Sequence, residues 1–151
     1  MTDKPIRVGF IGLNPDIQWA AKAHIPALKS LPDDFVVVGV ANTTLASAKN
    51  AAEAFGLPHA FENAQALVNS PEIDLVVVTV KVPHHRELVA AALNAGKHVY
   101  CEWPLGNGLA EARELADLAQ TKGVVAAVGT QMRVAPEVEH LRQLIADGYV
   151  G

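Results

Sequence analysis

The sequence contains a single cysteine, Cys101, so no disulfide can form within the 151-residue chain. An excess of basic residues is also missing: 12 Lys and Arg stand against 16 Asp and Glu, for a formal net charge of -4. Surfaces that grip nucleic acid concentrate Lys and Arg against the phosphates, so direct nucleic-acid binding is not expected. Apolar runs such as Leu75 to Val78 fall far short of the roughly 18 residues that span a bilayer, which leaves no predicted membrane segment. The N-terminal Met1-Thr2-Asp3-Lys4-Pro5 has none of the apolar core of a secretory leader. Together these absences predict a reducing, cytoplasmic setting. Internal repeats, low-complexity stretches and blocks of like charge are lacking too.

What is present is a large apolar half. With 50% apolar residues and only 19% charged, the chain can bury one core of ordinary size, so a single domain is expected. Ile6-Arg7-Val8-Gly9-Phe10-Ile11 is a β-branched apolar run closed by Gly12, the pattern of a buried parallel strand. Helical spacing begins near Gln18 and should end near Leu31-Pro32. Phe35 to Val40 repeats the strand pattern, and the alanine-rich stretch from Leu45 to Phe55 is helical, stopping at Gly56 as a helix C-cap. Further strands are expected over His59 to Phe61, Leu75 to Val80, Val99 to Glu102 and Val124 to Val128. Further helices are expected through Val68, over Arg86 to Asn94, over Ala110 to Gln120, and from Pro136 to Gly148. Such alternation favours a parallel sheet, because each parallel crossover needs a covering helix. The predicted fold class is α/β: a doubly wound, Rossmann-like parallel sheet of about six strands with helices on both faces.

Sheets of this kind bind dinucleotides where a tight, glycine-bearing turn joins strand one to helix one. Gly12 takes the first position of the Gly-x-Gly-x-x-Gly fingerprint, but Asn14 takes the second and Ile17 the third. Asn14 is a workable substitute, since asparagine tolerates a left-handed backbone and its amide can bond a phosphate or cap the helix. Ile17 implies a wider gap between helix and strand. Asp16 brings a carboxylate that helps cap a helix but repels a dianion. A structural turn without a ligand is the plainer alternative.

About 20 residues past the glycines, an NAD-selective site carries an acidic residue for the ribose hydroxyls. Val40-Ala41-Asn42-Thr43-Thr44 has no carboxylate there. Asn42 can still bond a ribose, and Thr43 and Thr44 can accept a 2'-phosphate, although no arginine follows to clamp it. Asn42 or Thr44 can equally cap the next helix. After the strongest strand, Thr79, Val80 and Lys81 fall at the carboxyl end of the sheet, where open sheets bind ligands. Adjacent His84 and His85 do not form a metal pair, because neighbouring helical residues diverge and no third ligand is spaced to join them; no metal site is expected. Cys101, on a strand, reads as a small buried hydrophobe in preference to a nucleophile.

The apolar run His98-Val99-Tyr100-Cys101 leads into Glu102-Trp103-Pro104-Leu105. This stretch resembles the Glu-Lys-Pro signature of the glucose-fructose oxidoreductase / inositol dehydrogenase (Gfo/Idh/MocA) family, with tryptophan in the place of lysine. Gly12-Leu13-Asn14, followed by Trp19-Ala20-Ala21-Lys22-Ala23-His24-Ile25-Pro26-Ala27, looks like the galactose-regulon repressor branch of that family, which binds a dinucleotide and represses without obvious turnover. In the family the signature lysine reaches the nicotinamide and the substrate hydroxyl, whereas Trp103 can only stack or donate one N-H. The resemblance places Glu102 and Trp103 at the nicotinamide and makes His85 a cofactor-ribose contact; a plain core or interface tryptophan and a helix-start surface histidine are the alternatives. Lys81 occupies the place of a family proline, and its ammonium is a candidate to enter the space left by the missing lysine; a solvated loop lysine is the alternative. Arg133, after strand six, falls where the family lines its substrate end. His24 is expected to be a structural hydrogen-bonding residue.

The resemblance covers nearly the whole chain and divides it into residues 1–132, the dinucleotide-binding domain, and 133–151, the start of a connection to a substrate domain that this sequence does not include. A domain of a longer or truncated protein is therefore expected, with a standalone nucleotide-binding domain as the alternative. The implied cofactor is NAD or NADP, the implied partner a small-molecule substrate, and the implied full-length form a homo-oligomer. The implied function is that of an NAD(P)-dependent oxidoreductase acting on a sugar, polyol or related hydroxylated substrate by hydride transfer, with this segment alone inactive. The alternative is a catalytically silent NAD(P)-binding regulator of a partner protein.

Overall fold

Continuous burial along the central strands decides the architecture. In the computed structural model, which describes residues 4–16 and 19–149, six strands form one sheet in which every pairing is parallel. They are β1 (Ile6–Ile11), β2 (Phe35–Ala41), β3 (His59–Phe61), β4 (Leu75–Val78), β5 (His98–Glu102) and β6 (Ala126–Gly129), in the spatial order β3-β2-β1-β4-β5-β6. Helices α1 (Trp19–Lys22) and α2 (His24–Lys29) connect β1 to β2, and α3 (Leu45–Phe55) connects β2 to β3. The remaining connections carry α4 (Ala64–Val68), α5 (His85–Asn94) and α6 (Leu109–Lys122), and α7 (Pro136–Ala146) follows β6.

Successive side chains of a strand point to opposite faces. On β4, Val76 and Val78 enter one core with Leu67 of α4, Leu93 of α5 and Leu115 of α6. Val77, between them, enters the other with Phe10, Val40, Ile25 of α2 and Ala51 of α3. Burial of each such valine contributes about 1.5 to 3 kcal/mol, so strands covered on both faces carry much of the hydrophobic stabilisation. At the amino edge, Arg7 forks onto Asp74 through Nε at 2.8 Å and Nη2 at 2.7 Å, and its backbone N-H donates to the same carboxylate at 2.9 Å. The guanidinium holds the Asp74 carboxyl below the usual carboxylate range and ties β1 beside β4.

Several element bounds differ from expectation for identifiable reasons. The first helical stretch is broken at Ala23 and ends at Lys29, because Pro26 has no N-H to return to the Lys22 carbonyl four residues back. The expected start at Gln18 lies outside the described residues. Strand β4 stops at Val78, short of Val80, because the Thr79 hydroxyl turns back to the neighbouring strand and residues 82–84 form a short 3-10 turn. β6 begins at Ala126 and includes Gly129, later than the expected Val124 to Val128. α3 ends at Gly56, whose φ of 69° is the left-handed cap conformation expected there. No residue of α7 is buried, and it packs mainly on the 3-10 turn Gln131–Val134 before it.

Candidate functional site

Strand order reverses between β1, which is followed by β2 on one side, and β4 on its other side, and ligands of open parallel sheets sit at that switch point. The turn after β1 fills it. Gly12 has φ +89°, a left-handed conformation, and a Cβ on it would come 2.5 Å from Val80 Cγ1. Both the backbone angle and the space therefore require glycine. Thr79 Oγ1 donates to the Gly12 carbonyl, and the Gly12 N-H donates to the Ala41 carbonyl at 2.9 Å. Asn42 Oδ1 accepts the Leu13 N-H at 2.9 Å, and its Nδ2 donates to the Leu13 carbonyl at 2.9 Å and to the Ser47 hydroxyl at 3.1 Å.

A cavity of about 490 Å³ opens over this turn, a volume in the range of small-molecule sites. Gly12, Leu13, Asn14, Thr43, Val80 and Lys81 are among its walls, together with Asn42 and His84. The glycine cradle at the switch point fits a dinucleotide. The backbone donors of the turn are less available than the fingerprint would have them: the Gly12 and Leu13 N-H groups are committed to β2 and its Asn42, Pro15 has none, and the Asp16 N-H donates to Asn14 Oδ1 at 2.9 Å. Asn14 therefore acts through this local turn. No described residue other than glycine has a positive φ, so the left-handed backbone expected to suit Asn14 is not used. Asp16 is exposed and outside the cavity wall; Ile17 lies outside the described residues. Thr44, at the start of α3, accepts the Ser47 N-H at 3.2 Å as its cap.

Of the two histidines after β4, His84 lines the cavity and His85 does not. His85 is 1% exposed, and its Nδ1 and Nε2 lie 2.8 Å from the Pro104 carbonyl and 2.9 Å from the Val80 carbonyl. This corrects the assignment of His85 as a ribose contact: with both ring nitrogens facing backbone carbonyls, it bolts the loop after β4 to the turn after β5. Exposed His84 lines the cavity in its place. Thr79 is corrected in the same way, since it is 6% exposed, is not part of the cavity wall, and spends its hydroxyl on the Ile11 and Gly12 carbonyls. Val80 and Lys81 do reach the wall.

A second cavity, of about 450 Å³, lies at the carboxyl ends of β5 and β6. Trp19, Glu102, Trp103, Thr130, Gln131 and Met132 line it, with Gly129 beneath. The Glu102 carboxylate lies 3.1 Å from His24 Nε2, and the His24 ring packs edge-on against Tyr100 and beside Phe10. His24 thus holds Glu102 in place, the structural role expected of it. Cys101 is fully buried, and desolvation, with Glu102 nearby, pushes its thiol up to about 12, which removes it as a nucleophile. Arg133 is exposed and belongs to neither wall; Gln131, two residues earlier, supplies the polar contact on that side. Lys81 and Trp103 line different cavities. Trp19 and Ser47 are site residues the sequence did not nominate, and the signals were the position of Trp19 at the first turn after β1 and of Ser47 three residues past the Thr44 cap. Among the described residues, no cluster of His, Cys, Asp or Glu is placed to hold a metal, and no helix is long and apolar enough to cross a membrane.

A sequence model of the oxidoreductase family with an NAD-binding Rossmann fold, Gfo/Idh/MocA, matches residues 6–130. The chain belongs to this family. It is an NAD(P)-binding domain of the oxidoreductase family, and its relatives include both dehydrogenases and regulators. It is 37% identical to the dehydrogenase aclE of Aspergillus oryzae, over 98% of this chain and 42% of that protein. It is 33% identical to the galactose/lactose metabolism regulatory protein GAL80 of Kluyveromyces lactis, over 99% of this chain and 35% of that one. Among solved structures it is similar to the 3-ketoreductase KijD10 of Actinomadura kijaniata in complex with NADP and TDP-benzene, with a TM-score of 0.87, 30% identity, and coverage of 98% of this chain and 44% of that one. The chain thus spans less than half the length of these family members.

Proposed function

We propose that this chain is the cofactor-binding part of an NAD(P)-dependent oxidoreductase that transfers a hydride from a sugar, polyol or related hydroxylated substrate. The observation that carries the reading is the Gly12 cradle at the switch point, closed on one side by Val80 and on the other by Asn42. A bound dinucleotide supplies the hydride acceptor. In this reading the first cavity holds the adenosine and pyrophosphate, with Thr43 at the ribose beyond β2, and the second receives the ring and substrate. Residues 1–132 form the cofactor domain, and 133–151 lead toward a substrate domain outside this sequence, a division supported by the few contacts α7 makes.

Lys81 takes a different role from that of the missing signature lysine. It is the one Lys or Arg lining the first cavity among the described residues, and the N-H groups of the turn are largely committed elsewhere. Its ammonium is therefore assigned to the pyrophosphate, as a point charge replacing backbone donors. Glu102 is the one ionisable side chain lining the second cavity among the described residues, so it is assigned as the base that takes the substrate hydroxyl proton, with His24 orienting it. A second reading, a silent dinucleotide-dependent regulator, is favoured by one observation: tryptophan stands where a proton-donating lysine would be. Turnover decides between them. Steady NAD(P)H formation by the full-length protein with any of a panel of sugars and polyols, abolished by Glu102→Gln, supports the enzyme; dinucleotide binding without turnover on that panel supports the regulator.

A further inference from the structure

Both tryptophans of the chain line the second cavity, Trp19 at 52% and Trp103 at 69% exposure. Large rings left this open on one concave surface mark a binding wall more often than a packing defect. Neither indole stacks on another ring: the ring contacts among the described residues join Phe10 to His24, His24 to Tyr100, and His59 to Phe61. The charge in the wall is of one sign. Glu102 contributes a carboxyl group, Gln131 and Thr130 carry no charge, and no Lys or Arg lines the cavity among the described residues. Indole faces carry a negative quadrupole and attract flat cations, most strongly where water is excluded.

We infer that the second cavity selects a flat cationic ring, and so binds the oxidised, pyridinium form of a nicotinamide dinucleotide more tightly than the reduced, uncharged dihydropyridine form. This rests on the cofactor reading proposed above. The two redox forms share their adenosine, riboses and pyrophosphate, so contacts in the first cavity contribute equally to both, and the ratio of their dissociation constants isolates the ring. A lysine at position 103 acts in the opposite sense, since an ammonium repels a pyridinium and leaves a neutral ring unaffected.

Isothermal titration calorimetry of the full-length protein with NAD+, NADH, NADP+ and NADPH tests this without turnover. The oxidised form of the better-binding pair is expected to bind about 5- to 30-fold more tightly than its reduced form, the range of a partly desolvated cation-π contact. Trp103→Lys should bring that ratio to one or below, and Trp103→Phe should leave it intermediate; both variants replace the same exposed side chain, so the fold is retained. Lys81→Gln should weaken both forms by the same factor and leave the ratio alone. Equal affinity of the unmodified protein for the two forms, or an unchanged ratio in Trp103→Lys, overturns the inference while the cofactor reading stands. Binding of neither form overturns the cofactor reading, and the inference with it.

Discussion

Asn42 extends the β1–β2 ladder one step beyond its last main-chain pair, Ile11 and Ala41, by pairing its side-chain amide with both the N-H and the carbonyl of Leu13 at 2.9 Å each. An amide can do this because it carries a donor and an acceptor side by side. The same Nδ2 reaches the Ser47 carbonyl at 3.2 Å. The position after β2 thus holds the cofactor turn in place, and its donors are not available to a ribose. An aspartate, which the NAD fingerprint would put here, would set an anionic oxygen against two carbonyls.

Asn42→Asp is therefore expected to lose about 1 to 3 kcal/mol of stability in urea unfolding, the cost of stripping a donor from partly buried carbonyls. It should also loosen dinucleotide binding. Equal stability of the variant and the parent would show that the Leu13 pairing contributes nothing.

Gly12→Ala should abolish dinucleotide binding measured by calorimetry, since the new Cβ meets both an unfavourable φ and Val80 Cγ1. Adding Val80→Ala removes the contact but not the backbone strain, which costs about 1 to 3 kcal/mol for a non-glycine residue. The double variant should recover part of the affinity and not all of it. Full recovery would assign the requirement to space alone.

His85→Phe leaves the Val80 and Pro104 carbonyls without their imidazole partner in a buried setting. A loss of about 1 to 3 kcal/mol is expected, the cost of leaving one buried carbonyl without its donor, since a single imidazole N-H serves only one of the two. His84→Phe, at the exposed neighbour, should change stability by less than about 0.5 kcal/mol. Equal effects of the two substitutions in denaturant unfolding would refute the bolt.

Cys101 gives a pH dependence of definite sign. Its thiol is raised in the folded chain to about 12, so the fold favours the protonated form, and the stability this represents is complete below the ordinary thiol range near 9. As pH rises from about 9 toward 12 the unfolded chain releases the proton first, and stability should fall by up to about 1.4 kcal/mol per pH unit. Cys101→Ala should remove that component, read as a converging stability difference from the parent between pH 8 and 11. At pH 8 the folded protein should resist iodoacetamide, and a denatured sample should be labelled at its one cysteine.

Much of the fold is legible in the sequence because its signals are local. Val76, Val77 and Val78 are a continuous apolar run that only a strand covered on both faces can accommodate, and Leu45 to Phe55 with Gly56 carries its own period and its own cap. Pro26 shows the limit, since the helix pattern runs through it while the missing N-H breaks the helix three residues earlier. At the site, Gly12 is legible because a glycine after a strand has a conformational meaning. His85 is not, because whether it faces a cofactor or a carbonyl depends on Pro104, which a later strand brings to it.

The amino-acid sequence by itself determined the alternating α/β architecture, the six parallel strands, the family and the glycine turn, since periodicity, caps and the Glu-x-Pro stretch are properties of short windows. Only the tertiary structure decided which side chains face the ligand. It turned Asn42, Thr79 and His85 inward to hold the turn, left Lys81 and His84 at one cavity, and brought Trp19 from the first crossover beside Trp103 from the end of β5. The physical reason is that a side chain's orientation is set by the hydrogen-bonding and packing partners that the sheet order brings to it, and those partners lie far away along the chain.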